Sequence, residues 1–477
     1  MNNFDRNLTM LTDLYELTMA NSYFEHNTNK VAVFDVFYRK NPQDAGYSLF
    51  CGLTEIIEYI ETFKFTKDDI LYLKSLNIYS DKFLEYLYHF KFSGNIYSVK
   101  EGTIIYPDTP VITVEAPIIE AQIIETMLLL ITNHQSLIAT KTSRIIKAAN
   151  NRPVIEMGGR RAHGFDAAVY GAKAAYIAGA QSTATVLAGQ KFKIPVTGTM
   201  GHSWIQYFNN EYLAFKAFAE TYPDNCILLI DTYHVIDSGI VNAIKIHNEI
   251  LKPLNKRLKA VRIDSGDLAY LSKKVRKILD DNDLADCKII VSNSVDEFLI
   301  NSLNSQNAKI DIFGIGERLI TSKSDPVFGG VYKLVAIKEN DEYIPKIKIS
   351  ETVEKITNPG YKKLYRVYDE NNKSKYDIIA LSDENVNHNT LLIDENKPWL
   401  EYTIKQEYRI ELLHTPIFLA GKLVYENPSL EEIRNYCKEQ INTLYEEERR
   451  YNNPHAHPVD FTKKLYDTKI ELLKTHE

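Results

Sequence analysis

The run Val261-Arg262-Ile263-Asp264-Ser265-Gly266-Asp267 carries the most specific chemistry in the chain. An arginine at the end of a β-branched run presents a planar cation, suited to stacking on a flat aromatic ring or pairing with an oxyanion. Asp264 offers a carboxylate for a metal or a ribose hydroxyl, and the backbone N–H groups around Ser265-Gly266, heading into a helix, suit a phosphate. The same run also reads as a strand-end salt bridge followed by a helix N-cap. Gly198-Thr199-Met200-Gly201-His202-Ser203-Trp204 is a second centre, a glycine-punctuated loop with a histidine at the turn into a helix. Its glycines let the backbone approach a ligand closely. Its histidine can titrate near neutral pH, move a proton or act as a nucleophile, and a lone histidine there serves equally as a cap.

Three further strings have the same character. Met157-Gly158-Gly159-Arg160-Arg161 places two glycines before paired arginines, where either an anion or a core carboxylate would be met. Ser292-Asn293-Ser294 and Phe313-Gly314-Ile315-Gly316-Glu317-Arg318 are turns of the kind that receive a terminal phosphate at a barrel mouth, although GxG alone is a weak signal. Asp231-Thr232-Tyr233-His234 is another polar string, at the end of an apolar run. His163 and His234 have no metal spacing to each other and read as structural.

Each string follows a short hydrophobic run. Eight such runs alternate with helical stretches: Val154–Met157, Ala175–Ile177, Pro195–Thr197, Ile227–Ile230, Ala260–Ile263, Ile289–Val291, Ile310–Phe313 and Val331–Val335. This predicts an α/β fold with a (β/α) barrel-like domain of seven to eight strands over residues 151–345, its strand ends converging on one face. Residues 1–150 read as an N-terminal α+β domain, with a helix through Asp13–Met19, a strand at Val31–Tyr38 and a long helix from about Ile119 to Ala149. Residues 346–477 read as a C-terminal extension, β-rich and then helical, packing on the other two.

Bulk properties exclude several classes. With 477 residues and 44% hydrophobic content the chain can bury a large core. A formal net charge of −7 argues against a general nucleic-acid binder. Four cysteines, at 51, 226, 287 and 437, are too far apart for zinc ligation or a disulfide framework, which fits a reducing compartment. Met1-Asn2-Asn3-Phe4-Asp5 shows neither the basic nor the apolar region of a leader. The most apolar run is too short to span a bilayer. A cytoplasmic protein without nucleic-acid or membrane partners is expected.

Taken together, the motifs resemble those of the nicotinate phosphoribosyltransferases, within the type II phosphoribosyltransferases. The matching residues are Thr12-Asp13-Leu14-Tyr15-Glu16-Leu17-Thr18-Met19, Glu156 to Ala162, Gly198 to Ser203, Val261 to Asp267, Lys348-Ile349-Ser350, Thr357-Asn358-Pro359-Gly360 and Asn453-Pro454-His455. They run in order from about residue 8 to about residue 470. The sequence departs from the pattern at His234-Val235, which leaves Asp231 the better candidate in that string, and at Met157.

The resemblance implies ATP-coupled transfer of phosphoribosyl from 5-phosphoribosyl-1-pyrophosphate (PRPP) to nicotinate, in NAD biosynthesis. It implies that His202 is phosphorylated by ATP, and that Tyr15 and Arg262 stack on opposite faces of the nicotinate ring, with Asp13 beside Tyr15. Arg160 and Ser203 would lie near the pyridine and its carboxylate, and Asp264 would serve the ribose–pyrophosphate and its Mg²⁺. Gly266, Ser292, Asn293, Gly314 and Gly316 would surround phosphate. Tyr15 would come from a neighbouring subunit, which implies a homodimer. Nicotinamide in place of nicotinate, and a catalytically silent binding homologue, are the alternatives. A quinolinate-type enzyme fits less well, because that family lacks the phosphorylated histidine and the long C-terminal third. A Schiff-base aldolase would need a lysine at a strand end, and Lys333 is the only obvious lysine in the eight runs.

Overall fold

A computed structural model describes residues 7–475 apart from residue 396, so the leader reading at Met1–Asp5 lies outside the described residues. The chain divides into two compact units, residues 138–326 and residues 1–137 with 327–477.

Unit 138–326 is built on parallel strands β1 (Val154–Glu156), β2 (Ser182–Thr183), β3 (Ile227–Leu229), β4 (Ala260–Ile263), β5 (Lys288–Val291) and β6 (Ile312–Ile315). They form one sheet in the order β2-β1-β6-β5-β4-β3. The last strand in sequence therefore returns to pair with the first, Phe313 opposite Val154 and Ile315 opposite Glu156. A parallel bridge from Thr183 to Val196 adds a seventh position beyond β2. Among the described residues no ladder joins that position to β3, so the barrel-like arrangement has one seam. Nearly every strand residue is buried, as expected where both faces of a parallel sheet are covered.

Two of the eight predicted strands lie elsewhere. Ala175–Ile177 ends the helix Phe165–Ile177, an alanine-rich segment whose high helix propensity outweighs its apolar run. The strand that follows is only Ser182–Thr183. Val331–Val335 sits inside the antiparallel strand Gly330–Glu339, which pairs with Val31–Tyr38 in the other unit. An apolar run of strand length carries no record of its partner, which is why it read as part of the barrel.

The other unit is assembled from both ends of the chain. Its seven-stranded sheet contains Val31–Tyr38, Asn95–Ser98 and Ile112–Pro117 together with Gly330–Glu339, Thr415–Leu419 and two shorter strands. A second sheet of six strands, among them Lys362–Tyr368, Ser374–Leu381 and Val459–Thr462, lies entirely in the last third. The helix Leu430–Thr443 precedes the last of these strands and is opened by a capping box from Ser429 and Glu432. Beneath it lies a buried polar cluster. Arg366 donates from Nε and Nη2 to the two oxygens of Asp377, at 2.7 and 2.8 Å. His457 Nδ1 lies 2.7 Å from Glu448 Oε1, its Nε2 lies 3.4 Å from Asp377 Oδ1, and its ring stacks on Tyr106 at 3.7 Å.

Burial disfavours the charged form of His457, but its hydrogen bonds to Asp377 and Glu448 and their charges outweigh this and raise its pKa above the ordinary value. Protonated His457 is therefore favoured in the folded chain. Its stabilising contribution is complete below the ordinary histidine pKa of about 6.5 and is lost as pH rises through the raised folded value. The gap in urea midpoint between the wild type and His457→Phe is accordingly expected to be widest near pH 6 and to narrow toward pH 9. A gap independent of pH would refute the charged assignment.

Candidate active site

The parallel strands of unit 138–326 all discharge their loops at one set of carboxyl ends, and three of those loops are tied to each other by side chains. After β3, Asp231 turns inward and is 8% exposed. Its Oδ2 accepts hydrogen bonds from the Asp264 backbone N–H at 2.9 Å and the Ser265 hydroxyl at 2.6 Å. The loop after β4 is thereby fixed by a carboxylate from the preceding strand. Gly266 in that loop has φ of +79°, a conformation that disfavours a side chain, and Asp267 then caps the helix Leu268–Asp280 through Tyr270 N.

Asp264 is the centre of the cluster. Its Oδ1 accepts from Ser292 Oγ at 2.5 Å, and its Oδ2 lies 3.3 Å from Arg262 Nη2 and 3.8 Å from His202 Nε2. Arg262 also donates from Nε to Ser292 Oγ at 3.0 Å, and its Nη1 reaches Thr199 Oγ1 and the Met200 carbonyl at 3.4 and 3.5 Å. His202 is the first residue of the helix His202–Tyr207, and its Nδ1 lies 3.2 Å from Thr232 Oγ1. Residues from four loops therefore meet around one carboxylate. His202 remains 42% exposed at the side chain, against 14% for Arg262. The histidine faces solvent and the arginine is held.

The remaining predicted residues frame this cluster in different ways. Asn293 and Ser294 are exposed with φ of +84° and +50°, two consecutive left-handed residues in the loop after β5. Gly314 is buried in β6, and a Cβ there would stand 2.7 Å from Met157 Sδ, so the strand end passes the methionine closely because it is glycine. Gly316 caps the short helix Glu317–Ile320. Arg160 lies exposed in the turn Gly159–Arg161, and Ser203 is exposed one residue beyond His202. That turn is anchored by the fully buried Glu156, which accepts from Gly158 N–H and from Thr183 Oγ1; burial raises its pKa.

Asp13 and Tyr15 belong to the other unit, at the start of the helix Leu14–Glu25. Tyr15 is 46% exposed, and its pKa is raised by burial of part of the ring and by the charge and hydrogen bond of Glu125. Lys333 likewise stands in that unit, opposite Asp35 in an antiparallel pair, which removes the one lysine considered for Schiff-base chemistry.

Thr199 and Thr232, the hydroxyls that contact Arg262 and His202, are not singled out by the sequence, and Asp231 is marked there only as the better candidate within its string. Each follows an apolar run within a string already singled out, but hydroxyl and carboxylate orientation depends on which loops become neighbours. Among the described residues no group of three or more histidine, cysteine or acidic side chains could hold a metal by itself.

Comparison with known proteins then decides the family. Residues 153–372 match the nicotinate phosphoribosyltransferase (NAPRTase) family, residues 10–133 its N-terminal domain and residues 361–469 its C-terminal domain. The chain is 43% identical to nicotinate phosphoribosyltransferase of Bacillus subtilis, covering 98% of this chain and 96% of that protein. The chain belongs to the nicotinate phosphoribosyltransferase family. It is 34% identical to the Caenorhabditis elegans nicotinate phosphoribosyltransferase over 96% of this chain and 92% of that one. The crystal structure of human nicotinic acid phosphoribosyltransferase superposes with a TM-score of 0.86 at 26% identity, covering 97% and 99% of the two chains. The α/β architecture, with a central parallel-sheet domain, is thus that of a nicotinate phosphoribosyltransferase.

Removing the Asp231 carboxylate strips acceptors from a backbone amide and a hydroxyl at once. Asp231→Ala is expected to cost about 2 kcal/mol of stability, and Asp231→Asn, which keeps one acceptor oxygen, about half that. Thermal midpoints of the two variants check the order; equal midpoints to wild type would mean that the loop after β4 is held by something else.

Proposed function

We propose that this chain transfers phosphoribosyl from PRPP to nicotinate, giving nicotinate mononucleotide and pyrophosphate, with ATP turnover coupled through His202. The observation that carries the reading is the linked set His202–Asp264–Arg262–Ser292 at the strand ends, in a chain collinear with named nicotinate phosphoribosyltransferases.

The chemistry follows from the arrangement. The pyridine nitrogen donates its lone pair to ribose C1 as the C1–O bond to pyrophosphate breaks, and the bonding pair leaves with the pyrophosphate oxygen. The guanidinium of Arg262 is held on three sides by Ser292, Thr199 and Met200, so it offers a fixed plane against which the nicotinate ring stacks. Tyr15 supplies the opposite face from a second copy of the chain in a homodimer. Arg160 and Ser203, both exposed, bind the carboxylate of nicotinate. Asn293, Gly314, Gly316 and Gly266 surround the phosphates of the donor.

With His202 in the tautomer protonated at Nδ1, the nitrogen 3.2 Å from Thr232 Oγ1 donates to that hydroxyl and the Nε2 lone pair is free. Nε2 attacks the γ-phosphorus of ATP, ADP departs, and water later returns the phosphoryl group as phosphate. The phosphohistidine then stands beside Asp264, so its formation and loss alter the charge where pyrophosphate binds. Asp264, together with the buried Asp231 Oδ1 that has no hydrogen-bond partner, fits Mg²⁺ carried largely by the substrate phosphates; such a site uses one or two carboxylates and not a protein cage. When bound, Mg²⁺ neutralises charge on the leaving group. Free, buried cysteines support a cytoplasmic location for this enzyme. Among the described residues no helix is long and apolar enough to cross a membrane.

Product chromatography with PRPP, Mg²⁺ and either nicotinate or nicotinamide, with and without ATP, tests the assignment. Nicotinate mononucleotide formed faster with ATP, alongside ADP, is the expected result, and nicotinamide mononucleotide would overturn the choice of base. His202→Ala is expected to abolish ATP stimulation and ATP consumption while slow ATP-independent synthesis persists. Stimulation that survived the substitution would move the phosphorylated group elsewhere.

A further inference from the structure

The loop after β5 has an unusual burden. Its residues Asn293 and Ser294 are both left-handed, at φ +84° and +50°, a conformation that costs non-glycine residues free energy and persists only where the surroundings enforce it. One end of the loop is enforced by Ser292, bonded to Arg262 Nε at 3.0 Å and to Asp264 at 2.5 Å. The other end is Asp296. Its Oδ1 accepts from Leu299 N at 2.9 Å and so caps the helix Glu297–Ser305. The next residue, Glu297, is fully buried between Lys141 Nζ at 2.8 Å and Arg144 Nε at 3.2 Å, which pins the start of that helix.

The second oxygen of Asp296 points to a different loop. Its Oδ2 lies 3.4 Å from Nη1 of Arg318, whose side chain is only one-third exposed. Arg318 stands in the short helix Glu317–Ile320 directly after Gly316, and its neighbours Leu319 and Ile320 are buried. Glu317, the closest acidic residue in sequence, is already paired with Lys323. Asp296 and Arg318 thus join the loop after β5 to the loop after β6, across two strands that pair in parallel.

We infer that Asp296 and Arg318 are positioning residues: their ion pair sets the spacing between the Ser292–Ser294 and Gly314–Gly316 loops, so that both engage one phosphate of the phosphoribosyl donor. This rests on the reading above that these loops receive that phosphate. Neither side chain touches the reacting atoms, so the pair acts on donor binding and leaves the chemical step alone.

The test is a double-mutant cycle of Asp296→Asn and Arg318→Gln, with steady-state kinetics and calorimetric titration of ribose 5-phosphate. Asparagine caps a helix as well as aspartate does, so Asp296→Asn removes the ion pair and keeps the helix start. Each single variant is expected to raise KM for PRPP about fivefold with kcat and KM for nicotinate nearly unchanged, and to weaken ribose 5-phosphate binding to a similar extent. The double variant is expected to be no worse than either single one, and Arg318→Lys to recover part of the loss. Multiplicative losses in the double variant would overturn the inference. So would a KM effect from Arg318→Gln that Asp296→Asn does not share, since Arg318 would then act on its own. If the wild type made no product from nicotinate, the activity reading would fall, and the ribose 5-phosphate titrations would still decide the pair.

Discussion

The buried carboxylate of Asp231 holds the backbone N–H of Asp264 and the hydroxyl of Ser265 at once, and the site is organised from that contact outward. A backbone amide at a strand end has no ladder partner, and leaving it unsatisfied in a half-buried loop is costly. Meeting it with a carboxylate from the neighbouring strand fixes the direction in which the Asp264 side chain leaves the loop. Ser292, Arg262 and His202 then approach a group whose position is already set. A single oxygen on β3's loop thereby controls the geometry of residues from three others.

The parallel sheet supplies the convergence on which this contact relies. In β-strands that run the same way, all loops that follow them open at the same edge, so residues separated by 28 to 63 positions become neighbours without any special sequence between them. Close passage between strand ends is the second requirement. It is met at Gly314, where a Cβ would collide with Met157. In a shielded site an unpaired donor or carboxylate oxygen is expensive, and in this cluster the buried Asp231 Oδ1 lacks a hydrogen-bond partner while the donors of Arg262 do not. Each of the three donor nitrogens of Arg262 has an acceptor within 3.5 Å.

The second unit follows a different logic. Strands from the two ends of the chain share one sheet there, so the last third is structural material for the first third and not a detachable extension. Its interior contains the Arg366–Asp377–His457–Glu448 cluster, where two cations face two carboxylates when His457 is protonated. Removing one partner from such a buried set is strongly destabilising, because it leaves an uncompensated charge away from water. The Asn453-Pro454-His455 string that marks this region in the sequence lies just before His457, the member whose charge completes the balance.

Local sequence determined which polar strings are available to the candidate site and the positions of most strand ends. The strings around His202, Asp264, Ser292 and Gly314 were legible because each needs only its own residues: an apolar run followed by glycine or a short polar side chain. Strand membership was legible only in part. Ala175–Ile177 became helix and Val331–Val335 joined the other unit, since an apolar run records that it will be buried but not against what. Tertiary structure alone decided that Asp231 would serve Asp264, that Thr199 and Thr232 would hold Arg262 and His202, and that Asp296 would reach Arg318. Those contacts are set by which loops the parallel sheet makes neighbours, and neighbourhood in space is a property of the folded sheet that no single stretch of sequence contains.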